Sequence, residues 1–105
     1  MRSLLCGLLL LATSPAGAAE IDLSKGQLKH VGDVLTQVIA AKNNTGVPIV
    51  ALYVECGFFH GEALLGASTG TAFNVEPGQT AYLEVTVDNA NEADRTECRV
   101  SGIDH

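Results

Sequence analysis

From Val47 onward, apolar and polar residues alternate with a period of two, the mark of strands that bury one face. Between Val50 and Phe58 the inward set is Val50, Leu52, Val54, Cys56 and Phe58, while Ala51, Tyr53, Glu55 and Gly57 point the other way. The stretch "GQTAYLEVTVD" repeats the scheme, with Ala81, Leu83, Val85 and Val87 inward against Tyr82, Glu84 and Thr86. In "RTECRVSG", Thr96, Cys98 and Val100 alternate with Glu97 and Arg99. Turn-forming clusters separate these runs: "NNTG" at 43–46, "HGE" at 60–62, "GASTG" at 66–70, "EPGQ" at 76–79 and "DNANEAD" at 88–94. In "EPGQ", Pro77 presets the first corner and Gly78 accepts a positive φ. "GASTG" is expected to be a bend between strands. Short strands broken at such intervals predict an antiparallel sandwich or barrel.

The segment before Val47 fits two periods. Leu28, Val31, Leu35, Val38 and Ile39 share a helical face, and "SKGQ" at 24–27 resembles a capping box. Gly32 and the β-branched Val31, Val34, Val38 and Ile39 oppose a helix. A strand over residues 33–42, ending at the Asn-Asn-Thr-Gly corner, is the favoured reading. Residues 19–29 are expected to be a loosely held arm.

The amino terminus changes the compartment. "MRSLLCGLLLLATSPAGA" carries one cation at Arg2, an apolar run from Leu4 to Ala12, and Pro15 before the small residues Ala16, Gly17 and Ala18. This is the layout of a secretory signal peptide, and the run is shorter than the ~20 residues a membrane span needs. Cleavage is expected after Ala18 or Ala19, with no stable membrane anchor and a periplasmic product. The division is then 1–18 signal peptide, 19–29 arm and 30–105 β-sandwich domain. The chain has 12 acidic and 6 basic residues, one of them Arg2. No basic cluster is present, which argues against nucleic acid and anionic membrane as partners.

Past residue 18 only Cys56 and Cys98 remain. An exported pair in a small domain reads first as a disulfide. Both cysteines take inward positions on their strands, where a bridge between sheets would sit. Zinc needs about four ligands at close spacing, and a redox pair is normally Cys-x-x-Cys; neither pattern occurs. The bridge closes a 42-residue separation, worth roughly 4 kcal/mol of loop entropy.

The order "GDVLTQVIAAKNNTGVPI…ALYVECGFFHGEALLG…GTAFNVEPGQTAYLEV", over residues 32–87, resembles FxLYD-type and related bacterial immunoglobulin-like domains. In those, an Asn-Asn-Thr/Ser-Gly entry leads into a long strand, and a Pro-Gly-Gln/Glu-Thr turn follows an aromatic strand. Here Cys56 takes the first aromatic position of the motif, and His60 stands where Asp is expected. The resemblance implies an all-β, immunoglobulin-like antiparallel β-sandwich in an exported protein, and it carries no catalytic residues.

Candidate chemistry is sparse. His60 and Glu62, with His30 and His105, supply donor types that suit zinc or copper, which makes a small periplasmic metal- or ligand-binding protein the alternative function. Their scatter reads as surface histidines, so neither a metal nor a cofactor is expected. Glu55, Glu84 and Glu97 sit at outward strand positions, where carboxylates stay solvated. No Ser-His-Asp order or phosphate-cradling loop accompanies them, and no enzyme is expected. "NNT" at 43–45 is formally a glycosylation acceptor. Tyr53, Phe59 and Tyr82 are all outward, so they are the candidate contact surface. The expected function is that of an exported, non-catalytic module binding another exported protein or envelope component.

Overall fold

A computed structural model describes residues 20–105; the expected signal peptide and its cleavage point lie outside the described residues. Six strands follow in chain order: β1 (Ile21–Val31), β2 (Val34–Asn43), β3 (Ile49–His60), β4 (Ala63–Val75), β5 (Thr80–Asp88) and β6 (Arg95–Asp104). They form two three-stranded antiparallel sheets, ordered β1-β2-β5 and β4-β3-β6. The fold is all-β and sandwich-like, with one disulfide between Cys56 and Cys98.

Local chemistry sets the connections. Gly32 and Gly61 take positive φ in the two-residue turns that close the β1–β2 and β3–β4 hairpins, a conformation that costs glycine nothing. The other three connections carry the chain from one sheet to the other. At the first, Asn43 is 1% exposed and spends its whole side chain on the corner. Its Nδ2 donates to the carbonyls of Val47 and Val75 at 2.9 and 3.0 Å, while its Oδ1 accepts from the Thr45 amide and hydroxyl. The formal glycosylation acceptor is thus a buried structural side chain.

The alternation holds over most of its length. Leu52, Val54, Cys56 and Phe58 on β3 are buried, facing Leu35 and Ile39 of β2 and Leu83 and Val85 of β5. Burying each large aliphatic or aromatic side chain contributes about 1.5–3 kcal/mol. One inward assignment is corrected: Val50 is 53% exposed, and Ile49 and Ala51 are buried instead. On the paired strand β4, between the partners of Ile49 and Ala51, Asn74 adopts φ 57°.

Three further expectations change. Residues 19–29 are expected as a loose arm, whereas Ile21–Val31 form edge strand β1 along β2. A shift of register between Lys25 and Leu28 breaks their alternation, which hides the strand from a period-two reading. The "GASTG" segment is not a bend but the middle of β4. Its glycines permit close packing: a Cβ on Gly70 would lie 2.8 Å from the Glu84 carbonyl oxygen and 2.9 Å from Leu83, and one on Gly66 would lie 2.7 Å from Val87. They draw β4 against β5 and close the sandwich along that side. Finally, Cys56 and Cys98 are directly opposed Cα partners on adjacent strands β3 and β6. The bridge lies within one sheet rather than between the two.

Candidate functional site

The long sides of the sandwich differ. Along β4 and β5 the glycines bring the backbones together, whereas edge strands β1 and β6 are not paired to each other. Between these two runs a groove of about 650 Å³, walled by Ile21 and Leu23 on one side and Cys98, Val100 and Ile103 on the other. It is pinned shut at one end. The Lys25 Nζ donates to the Thr96 carbonyl at 2.6 Å. Beneath that contact, Gln37, 2% exposed, accepts from the Thr96 hydroxyl at 2.6 Å and donates to the Gly26 carbonyl at 2.9 Å. The irregularity in β1 thereby finds a partner for a carbonyl outside its ladder, and the same amide ties both sheets together.

The outer face of sheet β4-β3-β6 carries a second feature. Outward positions of β3 place Tyr53, Glu55, Gly57 and Phe59 in a row. A Cβ on Gly57 would lie 2.9 Å from the Phe59 ring and 3.2 Å from Leu64, so both side chains fold over the glycine. The Arg95 guanidinium sits 4.4 Å from the Phe59 ring centroid, a cation–π contact, and donates to the Gly61 carbonyl at 2.8 Å. Phe59 and Leu64 border a depression of about 390 Å³ over Gly57, reaching Ala67 on one side and Glu97 on the other. Ion pairs rim it, Arg99 with Glu55 at 2.7 Å and Arg95 with Glu97. Farther along β4, Phe73 is 68% exposed.

Tyr53 lies on this face and donates its hydroxyl to Asp104 Oδ2 at 2.8 Å. That hydrogen bond, the nearby Asp104 charge and slight desolvation raise the phenol above the ordinary tyrosine range. Of the three expected contact residues, Tyr53 and Phe59 share β3. Tyr82, 74% exposed, belongs to β5 and points outward from the opposite sheet. The structure therefore does not assemble the three into one patch. Leu64 and Phe73, on the neighbouring strand β4, flank the "GASTG" segment expected to be a bend. The signal that could have found them is a 13-residue strand without a single charge, "ALLGASTGTAFNV".

The histidines are separate. His60 Nδ1 donates to the Glu92 carbonyl at 2.8 Å and lies 3.4 Å from Asp94, while His105 Nδ1 donates to the Pro48 carbonyl at 3.1 Å. Among the described residues no three His, Cys, Asp or Glu side chains gather as a metal site. Glu55, Glu84 and Glu97 each pair with an arginine or lysine at the surface. The chain matches no family model, no curated protein and no solved structure.

Proposed function

We propose that this protein is an exported, immunoglobulin-like β-sandwich of the FxLYD-related kind that works as a non-catalytic binding module for another exported protein or envelope component. The observation that carries the reading is the outer face of β4-β3-β6. Phe59 and Leu64 cover Gly57 at a depression rimmed by charges, and Tyr53 and the exposed Phe73 lie farther along the same two strands. Apolar side chains held exposed on a rigid sheet, with a polar border, have the composition of a protein contact surface. The disulfide supports an oxidising compartment, since such bridges persist outside the reducing cytosol. The leader-like residues 1–18 point the same way.

The experiment is capture from a periplasmic extract by the immobilised protein, compared with a Leu64→Ser/Phe73→Ser variant. Leu64 is 59% exposed, and Phe73 more so, which makes the pair replaceable without opening the core. The wild type is expected to retain a partner that the variant loses, with the melting temperature nearly unchanged. Equal capture by both proteins would refute the assignment of this face.

A further inference from the structure

The free side of β6 faces the open groove, and its backbone geometry there can be read from the bridge. Cys56 and Cys98 are Cα partners 4.0 Å apart, the close spacing of a non-hydrogen-bonded antiparallel pair. Residues in such a pair turn their N–H and C=O groups away from each other. Those of Cys98 therefore point away from β3, into the groove, and the period of two gives Thr96 and Val100 the same orientation. The Lys25 ammonium on the Thr96 carbonyl shows that orientation directly. β6 thus carries a row of backbone donors and acceptors on an edge to which, among the described residues, no strand is paired.

The outward side chains of the same strand read Arg95, Glu97, Arg99, alternating in sign. Antiparallel pairing of β6 with a second β6 about Cys98 sets Glu97 of one copy opposite Arg99 of the other, twice by symmetry. The same register makes Cys98 with Cys98, and Thr96 with Val100, the hydrogen-bonded pairs, and these are the residues whose backbone groups face outward. An axis one residue away, at Glu97 or Arg99, still pairs the outward-facing backbone groups, but it sets Glu97 against Glu97 with Arg95 against Arg99, or Arg99 against Arg99, so like charges oppose. At Val100 it sets Arg99 against Ser101, and at Thr96 it runs off the strand after one residue. Only Cys98 satisfies backbone, charge and overlap together.

We propose that β6 is a self-association edge, through which two copies pair about a two-fold axis at Cys98 to join their β4-β3-β6 sheets into one continuous sheet. A C2 interface is self-complementary by construction, and the alternating charges supply that complementarity. The ion pairs that hold these side chains within one copy, Arg99 with Glu55 and Arg95 with Glu97, are exposed; such pairs contribute little, so exchanging them for partners across the axis costs little. Thr96 is 2% exposed beneath Lys25, so pairing requires Lys25 to swing off and yield the Thr96 carbonyl to the Val100 amide of the other copy. This inference is independent of the apolar outer face.

Sedimentation equilibrium tests it on protein produced from the full 105-residue sequence. The wild type is expected to be a dimer at low ionic strength. Glu97→Arg and Arg99→Glu, each with unchanged circular dichroism, are expected to halve the sedimenting mass, because each sets like charges across the axis. An equimolar mixture of the two variants is expected to restore the dimer, since the substituted charges then oppose again. A wild type that stays monomeric would mean that the charges of β6 only guard an edge, and would overturn the proposal. Dimers that survive in both single variants, or a mixture that stays monomeric, would overturn it too.

Discussion

Cys56 of central strand β3 and Cys98 of edge strand β6 face each other across one sheet, their Cα atoms 4.0 Å apart. The bridge therefore fastens the last strand of the chain to its neighbour, and the two sheets are held together by the core and by the glycine-lined contact of β4 with β5. It still closes a 42-residue separation. Replacing both cysteines by alanine is expected to lower the unfolding free energy by about 4 kcal/mol on the loop-entropy scale, measured by urea denaturation at equilibrium. A loss below about 1 kcal/mol would show that the staple matters little to a domain of this size.

Asn43 offers a sharper substitution. Asn43→Asp keeps the acceptor side that serves Thr45 but removes both donors and turns a carboxylate toward the carbonyls of Val47 and Val75. The position is buried, so the cost is expected to be at least about 2 kcal/mol. Thermal unfolding of the variant against wild type measures it. An unchanged midpoint would mean that the corner does not need those two bonds.

The closed side of the sandwich depends on Gly70. An added methyl group meets the Glu84 carbonyl and the Leu83 and Val85 side chains at 2.8–3.0 Å, and backbone cannot give way as a flexible side chain can. Gly70→Ala is expected to destabilise by about 1–3 kcal/mol, the usual range for overpacking. Gly46→Ala, where no atom lies within 4 Å but φ is +85°, separates backbone strain from crowding. Equal stability of Gly70→Ala and wild type would contradict the close approach.

The buried amide of Gln37 should show coupling. Thr96→Val leaves the Gln37 Oε1 without its 2.6 Å donor, an expected loss of about 1–3 kcal/mol. Adding Gln37→Leu removes the orphaned acceptor, so the double variant is expected to fall short of the sum of the single losses. Strict additivity by urea denaturation would argue that the two residues do not share one network.

Tyr53 provides a pH dependence with a definite sign. Its phenol is raised by the hydrogen bond to Asp104 and by the charge of that carboxylate. Because the folded-state value lies above the unfolded one, the stabilisation is full below the ordinary tyrosine range and is lost as pH rises through the raised value. Ultraviolet titration is expected to show a phenolate component above that range, abolished by Tyr53→Phe and moved down by Asp104→Asn. A titration unaffected by Asp104→Asn would contradict the cause assigned to it.

How far the sequence discloses this fold depends on whether each residue obeys the period of its strand. β5, β6 and the later half of β3 do, so Leu83, Val85, Cys98, Leu52 and Phe58 are legible as core. β1 does not, because the shift after Lys25 changes which face its residues present. Gly66 and Gly70 mislead for another reason. Glycine serves both turns and close strand packing, and only the neighbour across the sandwich decides between them. Gln37 was readable in principle: it occupies the inward slot between Leu35 and Ile39 of β2, where a polar residue demands partners. The apolar outer face was half visible, since Tyr53 and Phe59 follow from alternation, but the separation of Tyr82 is a matter of which sheet β5 joins. No local pattern encodes that.

The placement of the bridge within one sheet fixes both the open groove and the outward-facing backbone of β6, and NMR can test it at the cysteines themselves. In a non-hydrogen-bonded antiparallel pair the two Hα atoms lie close together, each pointing at the other. A strong nuclear Overhauser cross-peak between the Hα protons of Cys56 and Cys98 is therefore expected in the oxidised protein. Its absence, with the Cys98 Hα instead near protons of β1, β2 or β5, would place the two cysteines on different sheets and contradict the architecture.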